Sequence, residues 1–173
     1  KDIVRDEAKK AVAALKELGI DVMMLTGDNE ATAKAIAKEA GVTNYVAECL
    51  PETKVEHIKQ YKQSYGNVGM VGDGINDAPA LATASVGIAM GGGTDVALET
   101  ADVVLMKNDL SKIAYAVKLS RKMQRIVKQN IIFSLTVIAI LIISNFFQAI
   151  SLPLGVIGHE GSTILVILNG LRM

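Results

Sequence analysis

Three observations predict a parallel, doubly wound α/β domain followed by an α-helical transmembrane hairpin. Short apolar runs alternate with segments of helical period as far as Met106, the pattern of a parallel sheet covered on both faces. Two of those runs end in turns that carry acids, Thr26-Gly27-Asp28-Asn29 and Gly72-Asp73-Gly74-Ile75-Asn76-Asp77. Residues Ile131 to Ile150 then contain no charge, which matches the roughly 20 residues a helix needs to cross a bilayer.

The elements follow in order. Ala8, Val12, Leu15 and Leu18 are spaced for a helix over Arg5 to Leu18, with Gly19 as its stop. A short strand is predicted at Asp21 to Thr26, a helix at Glu30 to Ala40 ending at Gly41, and a strand at Tyr45 to Ala47. Pro51 breaks the chain before a helix at Thr53 to Ser64 that closes at Gly66. A buried strand at Asn67 to Val71, a helix near Ala78 to Thr83, and strands at Val86 to Met90 and Ala101 to Met106 complete the domain at residues 1–108. Asp109 is placed to cap a long helix from Leu110. Its first part, 109–130, reads as a cytoplasmic linker carrying Lys118, Arg121, Lys122, Arg125 and Lys128. By the positive-inside rule that end faces the cytoplasm. Residues 131–151 form the first predicted span, Ser151-Leu152-Pro153 the turn, and 152–173 the returning span, with Arg172 back at the cytoplasmic side.

Composition limits the function classes. A net charge of zero argues against a nucleic-acid binder that works by counterion release. The single cysteine, Cys49, rules out a disulfide framework within the chain and reads as a small buried residue.

The chemistry concentrates at the strand ends. Asp73 and Asp77 repel unless a cation lies between them, and hard oxygen ligands suit Mg²⁺. Asp73 is therefore read as a Mg²⁺ ligand, with Asp77 and Asn76 as a polar brace; the plainer alternative has Asp77 capping the next helix. Thr26 and Asp28 should meet Asp73 on one edge of the sheet, although Asp28 or Asn29 equally fits a helix cap. Lys54 sits in the first turn of a helix, where a cation opposes the macrodipole. A phosphoryl group would compensate for it.

These motifs, in this order, resemble the later motifs of the haloacid-dehalogenase-like phosphotransferases as they occur in P-type ATPases. The stretch from Gly87 through Gly91-Gly92-Gly93-Thr94-Asp95 to Asp102 resembles the segment that follows in the heavy-metal-transporting class. The resemblance implies a Rossmann-like partial domain from an ATP-driven ion pump of the plasma membrane, with residues 1–130 cytoplasmic and the rest multi-pass. It implies that Thr26, Gly27 and Lys54 hold the phosphorylated aspartate, that Asp73 and Asp77 form the Mg²⁺ site with Asn76, and that Asp28 reaches toward ATP. No Asp-Lys-Thr-Gly-Thr sequence occurs here. The chain is therefore expected to be the C-terminal part of a pump, inactive alone, whose partners are lipid, the actuator and nucleotide-binding domains, the earlier transmembrane helices and the transported ion.

His159-Glu160-Gly161-Ser162-Thr163 lies in the otherwise apolar last helix. Glu160 stands roughly 18 Å from Arg172 at 1.5 Å per residue, slightly beyond the middle of a hydrocarbon core of about 30 Å. An ionisable pair there is expensive and marks a functional site. The alternative is a frayed, water-exposed helix end. Imidazole and carboxylate suit borderline divalent ions such as Zn²⁺ or Co²⁺ better than Cu(I), which prefers soft sulfur, and the segment resembles the eighth-span motif of the zinc, cadmium and cobalt branch. Gly155, Gly158 and Gly161 allow close approach of a partner helix. Asn130, Asn145 and Asn169 read as helix-to-helix hydrogen bonds or interfacial residues, and His57 as a solvated side chain. A membrane-anchored phosphatase of the same fold is the competing reading.

Overall fold

The computed structural model describes residues 6–106, 109–146 and 152–172. It divides into two compact units, Lys1–Ala114 and Tyr115–Met173.

In the first unit, α1 (Asp6–Glu17), β1 (Met23–Leu25), α2 (Glu30–Ala40), β2 (Asn44–Val46) and α3 (Pro51–Tyr65) come first. Then follow β3 (Gly69–Gly72), a single 3-10 turn at Ile75–Asp77, α4 (Ala78–Thr83), β4 (Val86–Met90), α5 (Asp95–Thr100) and β5 (Val103–Leu105). Every ladder is parallel, as the alternation of elements requires. The described strands nevertheless form two ladders, β1-β2 and β3-β4-β5. Each of β1 and β3 thus has one hydrogen-bonded strand neighbour.

Side-chain alternation along β1 divides the interior. Met24, like Val12 and Tyr45, packs on the cluster of Ala37, Ala40 and Val42, whereas Leu25 packs on the cluster of Ile58, Met70, Ala80, Leu81 and Ala97. Helix α2 puts Ala33, Ala37 and Ala40 on one face. Asn29 caps it by accepting from the Thr32 amide at 3.0 Å, and Gly41 ends it at φ 75°. Pro51 opens α3 at its first position instead of breaking the chain ahead of it, since the amide it lacks would be unpaired there in any case.

The sheet is less covered than the sequence suggested. Met70 of β3 is buried, but Val71 is exposed, and Val86 on β4 and Val103 on β5 retain 42% and 40% of their surface. Helices cover part of each ladder only. His57 is half-buried, its ring stacked on Tyr61 at a centroid distance of 5.8 Å, so it is not simply solvated. Helix α5 follows the glycine run where no helix was expected, because Thr94 supplies an N-cap to the Ala97 amide.

Asp109 Oδ1 accepts from the Ser111 amide at 2.9 Å, and α6 runs from Ser111 to Phe146. Among the described residues α6 is the helix long and apolar enough to cross a membrane. Helix α7 spans Leu152–Gly170. Pro153, expected in the turn, lies in its first turn. The remainder of that turn, through Ser151, lies outside the described residues.

Candidate functional site

The sheet unit gathers its acids around a close backbone approach. Gly72 ends β3, and a Cβ there would stand 2.6 Å from Asp77 Cβ. Only glycine lets the 3-10 turn fold back so tightly. Asp77 does not cap α4 with its side chain. Its Oδ1 instead accepts from Lys54 Nζ at 2.6 Å, in an ion pair whose two side chains are each 14% exposed. The pair joins the first turn of α3 to the Gly-Asp-Gly turn, and it supplies the compensation that Lys54 requires.

Asp73 is exposed and opens on a cavity of about 430 Å³ lined by Glu7, Gly72, Asp77, Met90 and Gly92 among others. Its main chain is held from behind. The Thr94 amide donates to the Asp73 carbonyl at 2.9 Å, and a Cβ on Gly93 would lie 2.8 Å from that same oxygen. The sequence reading missed this strut. Its trace was the run of three glycines directly after β4.

Thr26 and Asp28 form a separate group. Thr26 Oγ1 donates to Asp28 Oδ2 at 2.9 Å and accepts from the Asp28 amide at 3.1 Å. The helix cap is Asn29, not Asp28. Among the described residues no hydrogen bond joins Thr26 or Asp28 to Asp73, neither lines the cavity, and β1 and β3 lie in different ladders, although Leu25 of β1 packs on the cluster that contains Met70 of β3. Asn76 is exposed on the 3-10 turn. Gly27 has space, its nearest neighbour being the Cys49 carbonyl. Cys49 is buried, and that burial pushes its thiol pKa up against the opposing charge of Lys54.

The donor set bears on Mg²⁺. Among the described residues no three His, Cys, Asp or Glu side chains cluster for a metal. Asp73 with Asp77 offers oxygen alone, which fits an ion held by one or two carboxylates together with phosphate and water.

In the helical unit His159 and Glu160 lie inside α7, about two turns from its first residue, so the helix is not frayed at the pair. Both side chains are exposed. Ser162 and Thr163 donate their hydroxyls to the His159 carbonyl at 2.7 and 3.2 Å. Asn169 Nδ2 donates to Asn130 Oδ1 at 2.7 Å, as expected of a helix-to-helix bond. Of the glycines, Gly158 faces Leu141, whereas Gly155 and Gly161 face open space.

Residues 1–85 match the family described as haloacid dehalogenase-like hydrolase. Over all 173 residues the chain is 68% identical to the zinc-transporting ATPase of Bacillus subtilis, and 52% identical over 99% of its length to a probable cadmium-transporting ATPase of Listeria monocytogenes. A crystal structure of a zinc-transporting PIB-type ATPase in the E2.Pi state superposes on 99% of the chain with TM-score 0.94 at 42% identity. The chain belongs to the heavy-metal-transporting P-type ATPases. It spans 27% and 24% of those two relatives and 28% of the solved pump. In this P-type ATPase segment a sheet of the haloacid-dehalogenase type and a long apolar helix are joined in one polypeptide.

Proposed function

We propose that the chain is the C-terminal part of an ATP-driven exporter of a divalent heavy metal, Zn²⁺, Cd²⁺ or Co²⁺, that works through an aspartyl-phosphate. The observation that carries this reading is the His159-Glu160 pair in the interior of α7, next to a helix able to span a membrane. A phosphatase with a simple anchor would need no ionisable pair there.

Lys54 and Thr26 hold the phosphoryl oxygens, with Gly27 allowing close backbone approach. Asp77 fixes the Lys54 ammonium, so that its charge stands ready before the phosphate arrives. Asn76 organises the same turn, and Asp28, tied to Thr26, reaches toward the nucleotide. Asp73, with Asp77 behind it, would hold Mg²⁺, which neutralises charge on the transferring phosphoryl group when bound. The phosphorylated aspartate comes from a part of the polypeptide outside these residues. A strand entering between β1 and β3 would pair with both, join the two ladders and bring Thr26 and Asp28 into one site with Asp73. The open edges of β1 and β3 and their shared packing through Leu25 and Met70 support that placement.

Helices α6 and α7 both cross the membrane, with residues 1–130 cytoplasmic. His159, Glu160 and Thr163 contribute to the site of the transported ion, completed by earlier helices; Ser162, about 200° round the helix from Glu160, does not share its face. The Thr163 proton is used within the helix, which leaves its oxygen available as an acceptor. The test is ATP-driven uptake of zinc by everted membrane vesicles containing the full-length pump. Uptake should be lost in Glu160→Gln; uptake equal to wild type in that variant would overturn the site.

A further inference from the structure

Helices α6 and α7 are tied at one end by a closed amide clamp. Asn169 Nδ2 donates to Asn130 Oδ1 at 2.7 Å, Asn130 Nδ2 donates to the Val166 carbonyl at 3.2 Å, and Arg172 donates to Asn169 Oδ1 at 3.2 Å. Both asparagines are half-buried on helices that are otherwise largely exposed. A second contact lies further along, where Gly158 faces the Leu141 side chain at 3.7 Å.

The two contacts share one register. From Asn130 to Leu141 and from Gly158 to Asn169 the spacing is the same, 11 residues on each helix. At about 100° per residue, 11 residues amount to three turns and roughly 20° more, so each pair occupies a single stripe. Glu160 is nine residues before Asn169, which is about two and a half turns. It therefore lies on the face of α7 opposite the clamp.

We infer that Asn130 and Asn169 are positioning residues that fix the rotation of α7 and so aim Glu160 away from α6. This rests on the reading of Glu160 as an ion ligand. Rotation of a helix by one residue's worth, about 100°, would carry Glu160 off that face altogether. Packing at Gly158 alone resists it weakly, since a glycine offers no side chain to lock. Directional hydrogen bonds between amides do.

The test uses the full-length pump with Asn130→Leu, Asn169→Leu and the double variant, alongside Glu160→Gln. Phosphorylation from ATP is titrated with Zn²⁺, and phosphorylation from inorganic phosphate is measured without metal. Each single variant should raise the zinc concentration for half-maximal labelling about tenfold. Labelling from phosphate should stay at the wild-type level, and the double variant should be no worse than either single one, because the two residues act through each other. Three results would overturn the clamp: an unchanged zinc response in the single variants, effects that multiply in the double variant, or a parallel loss of labelling from phosphate. A zinc response that survives Glu160→Gln overturns the ligand reading instead. The clamp is then decided by geometry alone. With Leu141→Cys and Gly158→Cys in a full-length pump whose other cysteines, Cys49 included, are replaced, the disulfide-linked peptide is quantified by mass spectrometry after oxidation. Asn130→Leu should cut its yield severalfold, and an equal yield would overturn the clamp on that count too.

Discussion

Asp77 shows how one side chain can settle two roles. It could have capped α4, and it pairs with Lys54 instead. Removing the ammonium with Lys54→Ala leaves a half-buried carboxylate without its partner, and the cost should be about 2 kcal/mol, read as a lower urea midpoint. Lys54→Arg should recover only part of it, since a planar fork replaces a point charge. At Asp73 the expected effect is on the ion: Asp73→Asn should raise the Mg²⁺ concentration for half-maximal phosphorylation at least tenfold, and labelling at wild-type Mg²⁺ levels would contradict the assignment. Cys49 gives a pH prediction. Its thiol pKa is raised by burial, so less thiolate exists at pH 8 than in the unfolded chain. Alkylation of the folded protein should be slower than that of the unfolded one, and its rate should go on climbing above pH 9.

Among the elements, the glycine run between β4 and α5 is the one whose purpose emerges only from the fold. A methyl group at Gly93 meets the Asp73 carbonyl, and the turn carrying that acid must shift. Gly93→Ala should therefore weaken Mg²⁺ dependence about as much as Asp73→Asn while leaving zinc affinity intact; a wild-type Mg²⁺ titration would show that the strut does not position Asp73. Element boundaries set by local chemistry were legible in the sequence. The Gly41 stop of α2, the Asp109 cap of α6 and the limits of α4 and β4 all stand where the residues put them. The Lys54–Asp77 pair was not, because it joins residues 23 apart whose approach depends on α3 packing beside the Gly-Asp-Gly turn. Helix α5 was overlooked because it is a single cap and six residues, too short to show a period. That β1 and β3 belong to different ladders depends on strand pairing, which no pattern within one strand encodes.

At the scale of the whole molecule the proposed function joins two chemistries. The sheet unit carries Thr26, Lys54 and Asp73, α7 carries an imidazole and a carboxylate, and α6 runs unbroken for 36 residues. Coupling in such a design is a free energy shared between phosphorylation and ion affinity, and it acts in both directions. The 173 residues alone should incorporate no phosphate from ATP.

The most direct measurement is phosphoenzyme formation from labelled ATP by the full-length polypeptide, titrated with Zn²⁺, Cd²⁺, Co²⁺ and Cu(I), in wild type and in Glu160→Gln. The account predicts that a divalent ion stimulates labelling, that Cu(I) does not, and that the variant loses the response. Labelling indifferent to metal, or unchanged by loss of the Glu160 charge, would contradict it.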